Sequence, residues 1–450
     1  MKTPALTTIP FSAADQSGRR VAVLGAGALG LTVAHRLARA GCRVTVFERE
    51  PSPGGLAAGY ELEPGIWLEK FYHHIFRSDK ALVRLMGEVG LADRMIWHRP
   101  LTASWIDDRY WPLDSPLALL RFKPLPILDR LRMGVVIAAL RALPSGGPLE
   151  GRLAASWIRR WMGSAAFRVI WGPLLQGKFG AAAETISLPW FWARLHDRSP
   201  DLGYPQGGFQ PFYEALSGRI KADGGLVRLG SRVLTVEPSG QDLSVRWSSP
   251  EGLEQAEHFD QVVSTLATRL TAELVPTLPP SWRETYAWGQ AYGARCLILA
   301  LDRPLTKAYW LNLDDQSFPF LVMVEHTNMR PAADYAGRHL IYLGTYRPMD
   351  DPLLRAPIEE LMPRVLAHLV RFNPDFDPSW VTATWSFSAP FAQPLVTPEY
   401  PRHIPPFETP IRGLFVASMF QVYPHDRGQN YSIELGERLA QQLLKEEPLT

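Results

Sequence analysis

The stretch VAVLGAGALGLTVAHRLARAGCRVTVFEREPSPGG, residues 21–55, decides the fold of this chain. Its apolar start, residues 21–24, predicts a buried parallel strand. A Gly-x-Gly-x-x-Gly motif follows at Gly25, Gly27 and Gly30, and it predicts a tight turn into a helix. Gly27 lets the backbone approach a pyrophosphate, and the helix N-terminus offers N–H groups and the positive end of its dipole. The stretch therefore predicts a nucleotide-binding βαβ unit.

A second strand follows this helix and ends in an acid. Residues 43–47 predict the strand, and Glu48 lies where an acid that hydrogen-bonds an adenosine ribose is expected. A glycine-rich turn that binds no ligand is the alternative interpretation. Because strand, glycines, helix, second strand and acid occur together, the pattern favours a dinucleotide, with Ala28 and Leu29 of the first helical turn among its contacts.

The composition is that of a globular protein with more than one domain. The chain has 450 residues, 46% of them apolar and 20% charged, which is too long for one compact core. Its 15 Trp and 40 Pro predict an aromatic-lined interior with many rigid turns. The formal net charge of +2 gives no indication of a nucleic-acid partner. Cys42 and Cys296 are expected to be buried free thiols, because the sequence has no disulfide framework and no metal-ligand spacing.

The ends and the apolar runs of the chain indicate its location. Residues 1–18 lack the apolar core of a signal peptide and predict a flexible tail. No run reaches the roughly 18 apolar residues that a membrane-spanning helix needs. We therefore expect a cytoplasmic protein.

Segment 115–172 is rich in arginine and in apolar side chains. Its predicted helices at 130–143 and 152–162 carry basic residues beside Trp157 and Trp161, whereas acids are few. One interpretation is an amphipathic surface on anionic lipid, and a second is a lid over an anionic apolar substrate. A third is a solvated face over core helices. The segment is thus a candidate for peripheral membrane contact.

Three segments together resemble the FAD-binding parts of the amine oxidase superfamily, which includes the protoporphyrinogen oxidases and the phytoene desaturases. The first is the glycine motif with its acid, followed by Arg49 and the pair Gly54 and Gly55. The second is residues 205–237, with a glycine turn, a helix and a strand. The third is residues 412–444, with a last strand and helix. In this family the paired glycines imply FAD rather than NAD.

The sequence departs from the family pattern at two places near the cofactor. Leu56 follows the glycine pair where many relatives carry Arg, and Ala417-Ser418-Met419 replaces a frequent Gly-Asp. The resemblance still implies further FAD contacts from Leu56, Val233, Ser418, Asn430, Tyr431 and Ser432.

The resemblance implies an α/β fold with a discontinuous Rossmann-type FAD-binding domain and an inserted α+β substrate domain. The expected FAD-binding segments are residues 19–76, 205–270 and 405–450. The expected substrate domain, which carries the basic helical lid, comprises residues 77–204 and 271–404. Predicted strands between residues 294 and 345 supply its sheet.

Two adjacent histidines are candidate catalytic residues. His73 and His74 lie in an aromatic stretch soon after the glycine pair, and the fold would carry them past the flavin. Histidine accepts a proton near neutral pH, which suits a general base. A buried, hydrogen-bonded histidine without a catalytic role is the alternative.

A polar stretch lies between the last predicted strand and the last helix. Ligands bind at the carboxyl ends of strands in open α/β sheets, which is where this stretch begins. We predict His425 and Asp426 as a catalytic proton relay, and Tyr423 and Arg427 as substrate contacts. A helix cap with a turn is the alternative.

Two further residues are candidate substrate contacts. Lys178 follows an aromatic turn and is expected in the roof of the active site, with a solvated lysine as the alternative. Tyr204 directly precedes the glycine turn of the middle segment and is expected in the pocket wall.

These features imply an FAD-dependent oxidoreductase. It would remove a hydride from a C–H or C–N centre of a large apolar or anionic small molecule, such as a porphyrinogen, a polyene or a lipid precursor. A redox-neutral flavin enzyme resembling the sugar-nucleotide mutases and a non-catalytic FAD-binding partner protein are the other interpretations. We expect no metal and no nucleic acid, and the oligomeric state is left open.

Overall fold

The computed structural model describes residues 18–313 and 317–445. Residues 1–17 of the predicted tail, and 446–450 of the last predicted FAD-binding segment, lie outside this part of the chain. The strands are β1 (Arg20–Leu24), β2 (Arg43–Phe47), β3 (Gly59–Glu63), β4 (Ile66–Glu69), β5 (Ile75–Phe76), β6 (Met95–His98), β7 (Thr102–Ile106), β8 (Arg109–Pro112), β9 (Leu202–Pro205), β10 (Leu226–Arg228), β11 (Arg232–Ser239), β12 (Asp242–Ser248), β13 (Glu254–Phe259), β14 (Gln261–Ser264), β15 (Ala291–Leu301), β16 (Trp310–Leu313), β17 (Val322–Glu325), β18 (His339–Arg347), β19 (Val381–Pro394) and β20 (Leu414–Val416). The helices are α1 (Ala28–Arg39), α2 (Lys80–Glu88), α3 (Pro116–Leu120), α4 (Ile127–Ala142), α5 (Ala154–Trp161), α6 (Ser164–Ala166), α7 (Gly172–Phe179), α8 (Leu188–His196), α9 (Gln210–Ala222), α10 (Thr268–Leu274), α11 (Pro280–Tyr286), α12 (Ile358–Phe372) and α13 (Gln429–Lys445).

A parallel sheet carries the glycine motif. Its strand order is β10-β2-β1-β14-β20, and each neighbouring pair is parallel. Strands β1 and β2 are buried except at their first residues, which explains why each is a nearly continuous apolar run. The α/β fold with a Rossmann-type sheet is confirmed.

Helix α1 fixes the position of the last helix. Residues 28–38 of α1 are all buried, and the helix packs against α9 and α13. A Cβ built on Gly436 of α13 would lie 2.9 Å from the carbonyl oxygen of Leu29. Because Gly436 has no side chain, α13 can approach α1 closely. This contact brings the N-terminus of α13 to the side of the parallel sheet on which α1 begins.

A second, mixed sheet has the order β19-β15-β18-β17-β16-β7-β8. Its central strand β15 pairs antiparallel with β18 and β19 and is buried along all 11 residues. The strands predicted between residues 294 and 345 belong to this sheet, although the run 319–325 is a strand only over Val322–Glu325. The sheet forms one wall of the site described below.

The predicted basic segment forms a helical layer, α3 to α7, that packs on α8. Helices α4 and α5 correspond to the predictions at 130–143 and 152–162. Trp192 of α8 donates its indole N–H to the carbonyl oxygen of Leu140 at 2.9 Å. Trp171 makes a 3.3 Å contact from its indole nitrogen to the sulfur of Met133. One face of α4 is thus anchored on the layer beneath it.

The segments assigned to the two predicted domains contribute to different sheets. The strands of the parallel sheet come from residues 20–47, 226–228, 261–264 and 414–416. The domain boundaries themselves stay a prediction. Among the helices of the described part of the chain, none is both long enough and apolar enough to cross a membrane.

Candidate active site

Two glycines of the first motif are required by the backbone itself. Gly25 has a φ of +102°, and its N–H donates to the carbonyl oxygen of Phe47 at 2.8 Å. A Cβ on Gly30 would lie 2.0 Å from the carbonyl oxygen of Gly25. These two glycines therefore shape the turn between β1 and α1, as the sequence predicts.

Gly27 is different, because the protein around it would accept a side chain. A Cβ on Gly27 would meet only the Cα of Gly55, at 3.9 Å, and its φ of −76° is ordinary. The residue opens a space in front of α1, where the N–H groups of Ala28, Leu29 and Gly30 donate to no described acceptor. Free donors and open space at a helix N-terminus fit the pyrophosphate of FAD.

Glu48 holds the turn from the side of β2. Its Oε2 accepts from the Ala26 N–H at 2.8 Å, and its Oε1 accepts from the Glu50 N–H at 3.0 Å. Each carboxylate oxygen has a second lone pair, so the group retains capacity for a ribose hydroxyl. Arg49 is exposed and pairs with Glu50 at 3.2 Å, which places its charge outside this turn.

The paired glycines close the cradle from the other side. Gly54 and Gly55 have φ values of +122° and +59°, and Gly54 forms a bridge with Gly27. The N–H of Gly54 donates to the carbonyl oxygen of Ala26 at 2.8 Å. The next residue, Leu56, lies in the wall of the cavity described next. The glycine pair therefore leads from the predicted pyrophosphate site into the interior.

A cavity of about 230 Å³ lies between the glycine pair, the first turn of α13, helices α7 and α8, and the mixed sheet. Its wall includes many of the predicted site residues: Leu56, His73, His74, Lys178, Asp426, Arg427, Asn430 and Tyr431. These residues are distributed over most of the chain, and the fold brings them together at the carboxyl end of the parallel sheet.

The first turn of α13 presents backbone donors to this cavity. The N–H groups of Gln429, Asn430 and Tyr431 donate to no described acceptor. The side chain of Asn430 has another task, since its Oδ1 accepts from the N–H groups of Ala81 and Leu82 at 2.8 and 3.1 Å. Asn430 thus caps α2 with its side chain, and the backbone of α13 is what fits the flavin oxygens.

The two histidines line the cavity as neutral groups. Nδ1 of His73 lies 2.7 Å from the carbonyl oxygen of Phe71, and Nδ1 of His74 lies 3.0 Å from the Tyr309 hydroxyl. Burial lowers the pKa of His73 to about 4. Burial, with the nearby charge of Arg198, lowers the pKa of His74 to about 3. Both rings are therefore uncharged at neutral pH.

Lys178 and Asp426 form an ion pair in the cavity wall. Nζ of Lys178 lies 2.6 Å from Oδ2 of Asp426, and the Arg194 guanidinium lies 3.5 Å from the same oxygen. Burial lowers the pKa of Lys178 to about 7. Burial alone would raise the pKa of Asp426, but the charges of Lys178, Arg194 and Arg427 lower it. Asp426 stays ionised, so it acts as a charge partner rather than as the predicted proton carrier.

Arg427 lies in the cavity wall and is anchored on its protein side. Its Nε donates to the carbonyl oxygen of Ala392, and its Nη2 lies 2.7 Å from the Tyr346 hydroxyl. The Tyr346 ring centroid lies 5.1 Å from the centre of the guanidinium. The positive charge is thus held at the cavity, as an anion clamp requires.

Arg198 is a cavity residue that the sequence analysis did not identify. Its guanidinium makes no hydrogen bond with any residue in the described part of the chain, and its centre lies 5.4 Å from the Phe76 ring centroid. Burial, with repulsion from Arg194, lowers the pKa of Arg198 to about 9. Arg194 lies in the last turn of α8 and Arg198 follows the helix, and only the fold shows that both face one cavity.

His425 lies behind the cavity wall. Its Nδ1 is 2.6 Å from Oδ2 of Asp197, and its ring stacks on Tyr431 with centroids 4.5 Å apart. The Tyr431 hydroxyl donates to the same Asp197 oxygen at 2.8 Å. The predicted relay of His425 with Asp426 is not formed, because Asp426 pairs with Lys178 and Arg194, whereas His425 bonds to Asp197.

The two predicted tyrosine contacts also lie away from the cavity wall. Tyr204 is buried in β9, where its hydroxyl donates to Oε2 of Glu69 at 2.5 Å. Tyr423 stacks on Tyr400 and donates to Glu150 at 2.7 Å. Both hydroxyls are occupied by carboxylates, so neither is positioned to contact a substrate in this cavity.

Three predicted cofactor contacts have local structural roles. The Ser418 hydroxyl accepts from the Phe420 N–H at 3.3 Å and caps a short turn after β20. Val233 packs beside the core formed by β11 to β13. The N–H of Ser432 donates to the carbonyl oxygen of Gly428 at 3.1 Å, inside α13. None of the three lies in the wall of the cavity.

Aromatic rings form much of the remaining wall. The rings of Tyr72 and Trp310 meet edge to face with centroids 5.2 Å apart. Phe71 and Phe76 from the same stretch as the histidines, and Tyr346 from β18, add further ring surface. The cavity therefore combines an apolar body with a cationic end.

Known structures share the fold over most of the chain. An oxidoreductase from Methanosarcina mazei superposes with a TM-score of 0.73 at 20% identity, covering 95% of this chain and 100% of that one. The reduced UDP-galactopyranose mutase superposes with a TM-score of 0.71 at 15% identity, covering 95% of each chain. At these identities the likeness shows the fold alone.

Sequence comparison gives the family. The 15-cis-phytoene desaturase of Synechococcus elongatus is 38% identical over 78 residues, an alignment that covers 17% of this chain and 16% of that protein. The match thus spans about a sixth of that curated relative. A model of the flavin containing amine oxidoreductase family matches residues 30–444, and the chain belongs to this family. The predicted family, the predicted FAD cofactor and the oxidoreductase class are confirmed.

Proposed function

We propose that the protein removes a hydride from a C–H or C–N bond of a large apolar or anionic small molecule. FAD, when bound, accepts the two electrons and the hydrogen, and oxygen or another acceptor re-oxidises it. The observation that carries the proposal is the continuity of the cavity with the FAD cradle. Leu56 borders the glycine pair at one end, and Asn430 and Tyr431 of α13 lie at the other. A substrate in the cavity would therefore lie against the flavin ring.

The aromatic part of the wall supports an apolar substrate body. Phe71, Tyr72 and Trp310 present ring faces and edges that would exclude water from the reacting bond. Porphyrinogens, polyenes and lipid precursors have large flat or extended apolar bodies that suit such a wall.

Lys178 is the residue best placed to handle the proton. Loss of a hydride leaves a substrate cation, which becomes neutral when it releases a proton. With a pKa of about 7, Lys178 changes between its neutral and charged forms near neutral pH. Asp426, held at 2.6 Å, orients the amine and stabilises the charge that it gains. His73 and His74, both neutral, contribute hydrogen bonds and ring surface.

The visible absorption spectrum of the purified protein tests the proposal. We expect flavin bands that dithionite bleaches and that air restores. The oxidised protein is then mixed anaerobically with a porphyrinogen, a polyene or an amine. The compound that is a substrate should bleach the same bands. Flavin bands that none of these classes bleaches would contradict hydride removal from this range of substrates.

A redox-neutral reaction is the second candidate function. The cationic end of the cavity suits a diphosphate, and the fold resembles that of the reduced UDP-galactopyranose mutase. In that case the reduced protein would convert a sugar nucleotide without net electron transfer, and the oxidised protein would be inactive. An assay with and without prior dithionite reduction separates the two candidates.

A further inference from the structure

The charges of the cavity wall do not balance. With Lys178 charged, five side chains in the wall are cationic and three are acidic, an excess of two positive charges, and with Lys178 neutral the excess is one. The cations are Lys178, Arg194, Arg198, Arg295 and Arg427, and the acids are Asp79, Asp197 and Asp426. Burying unpaired charge is unfavourable, so the excess is a cost that a bound anion would offset.

Arg198 carries most of this imbalance. Arg194 and Lys178 share Asp426, Arg427 is bonded to Tyr346, and Arg295 donates to the Leu354 carbonyl oxygen at 3.0 Å. The guanidinium of Arg198 has no hydrogen-bond partner among the described residues and keeps all five of its N–H groups for a ligand. A planar guanidinium of this kind recognises carboxylate or phosphate oxygens through two parallel hydrogen bonds.

We propose that Arg198, with Arg427 in the same cavity wall, binds a compact dianionic group of the substrate, a phosphate or a pair of carboxylates. This inference rests on the proposed function, because it assigns the anionic end of the same substrate. The aromatic wall would hold the apolar body, so that the anchored end fixes which bond lies against the flavin.

Binding of simple anions to the FAD-loaded protein tests the subsite without turnover. Isothermal titration with inorganic pyrophosphate and inorganic phosphate probes a phosphate group, and titration with succinate probes a pair of carboxylates. Formate serves as the monoanion for comparison. We expect at least one dianion to bind, and Arg198→Met to weaken it by at least about tenfold. Arg269→Met, which removes an exposed arginine of α10, is the matched control and should bind like the wild type.

Thermal unfolding of the same variants checks that a loss of dianion binding is not caused by unfolding of the variant. Removing an unpaired charge from the cavity wall should leave the melting temperature of Arg198→Met at or above the wild-type value. Unchanged dianion affinity in Arg198→Met, or no binding of any dianion to the wild type, would overturn the subsite. If dianions bind as expected but no substrate bleaches the flavin, the subsite holds and the proposed function fails.

A second feature of the surface carries an independent proposal. Six large apolar side chains of α3 and α4 are exposed: Leu117, Leu120, Ile127, Leu128, Leu131 and Val135. Leu128 and Val135 are 77% and 71% exposed. They lie two helical turns apart along one face of α4, opposite the face that packs on α8. We define these six residues as the α3–α4 patch.

Positive charge surrounds this patch. Residues 116–135 contain Arg121, Lys123, Arg130 and Arg132 against one acid, Asp129, which leaves three net positive charges. Arg130 donates to the carbonyl oxygens of Leu120 and Leu125 at 2.7 and 2.6 Å, and so holds α3 beside α4. Protruding apolar side chains with a basic surround match the interface of a bilayer that contains anionic lipid.

We propose that the α3–α4 patch inserts into the surface of a membrane that contains anionic lipid. Such a contact keeps the protein on the membrane without a spanning helix. A second copy of the chain is a poorer occupant. An isologous contact would place the three net positive charges of residues 116–135 against the same three of the second copy.

Co-sedimentation with vesicles tests the surface. We expect the FAD-loaded protein to pellet with vesicles of phosphatidylcholine and phosphatidylglycerol, and less with phosphatidylcholine alone, because each basic residue near an anionic surface adds about 1 kcal/mol. The double variant Leu128→Glu/Val135→Glu should lose most of the bound fraction. Leu253→Glu/Val370→Glu is the matched control, since these side chains are 63% and 43% exposed at other places.

Two results would overturn the membrane proposal. One is equal pelleting of the wild type and of Leu128→Glu/Val135→Glu. The other is a dimer of the wild type in gel filtration that the same double variant converts to a monomer, which would assign the patch to a second copy.

Discussion

Nζ of Lys178 lies 2.6 Å from Oδ2 of Asp426, and this ion pair ties two distant parts of the chain together across the cavity. Lys178 belongs to α7 in the helical layer, whereas Asp426 lies three residues before α13, whose first turn lines the cavity. The two residues are 248 positions apart in sequence. The pair therefore couples the layer that covers the cavity to the helix that is expected to contact the cofactor.

The lowered pKa of Lys178 predicts a specific pH dependence of stability. Its pKa is about 7 in the folded protein against 10.5 for the free side chain, so between these values the unfolded chain binds a proton that the folded protein lacks. Stability therefore rises with pH across this window. Lys178→Met should remove this contribution. We expect the melting temperature of the wild type, relative to the variant, to rise by roughly 1–2 °C per pH unit.

Differential scanning calorimetry of both proteins between pH 7 and about pH 10 measures this difference. Because the comparison is between two proteins at each pH, other titrating groups cancel. A constant difference in melting temperature over the range would show that Lys178 keeps an ordinary pKa.

Lys178 also predicts the pH profile of flavin reduction. If it accepts the substrate proton, the rate should rise through an inflection near pH 7 and level off above it. His73 and His74 should add no inflection between pH 5 and 9, since their pKa values are about 4 and 3. Stopped-flow reduction across this range measures the profile. Lys178→Met should lower the rate at least about a hundredfold and abolish the inflection.

Gly27→Val separates cofactor binding from folding. A side chain at position 27 meets almost no protein atoms but fills the space in front of α1. We expect a folded protein that has lost the absorbance of bound flavin, with an FAD affinity at least about tenfold weaker. Gly218→Val, at an open position of α9, is the control and should keep its flavin. Full flavin occupancy in Gly27→Val would contradict the assigned pyrophosphate site.

Tyr204→Phe tests the placement of Tyr204 in the core. Burial raises the pKa of Glu69 to about 7, and the Tyr204 hydroxyl is one of the groups that limit the rise. Since the folded pKa exceeds the free value of 4.5, stability is lost as the pH rises through about 7. Without the hydroxyl the ionised carboxyl loses a donor, so the variant should be about 1–3 kcal/mol less stable at pH 8 and nearer the wild type at pH 5.

Chemical denaturation at the two pH values measures this effect. The KM for the substrate should be unchanged, because the ring of Tyr204 lies outside the cavity wall. A large rise in KM with unchanged stability would instead show that Tyr204 contacts the substrate.

The local features of the cofactor cradle could be predicted from the sequence. The glycine motif and Glu48 act through turn geometry and backbone hydrogen bonds within about thirty residues, and such constraints are visible in a short segment. The placement of Lys178 at the cavity also followed from a local aromatic turn. These features need no knowledge of how distant segments meet.

The partners of each polar group could not be predicted in the same way. Arg198 looks like an ordinary basic residue at the end of a helix, and only the fold shows that it faces a cavity without a partner. Tyr204 lies in a strand that is buried on both faces, so residue alternation gives no information on which side the cavity lies. The ion-pair partner of Asp426 is Lys178, 248 residues earlier in the chain, so the residues around Asp426 do not reveal it. For this reason the sequence predicted a proton carrier at Asp426 rather than a charge partner.

The strand order of the parallel sheet has a consequence for how the protein is made. β1 takes its place beside β14, about 240 residues later in the chain, and the sheet ends with β20 at residues 414–416. The ribosome must therefore synthesise nearly the whole chain before all five strands of the nucleotide-binding sheet can pair. Until then the βαβ unit at the start of the chain would expose apolar surface. The yield of active protein would therefore depend on chaperones and on the supply of FAD.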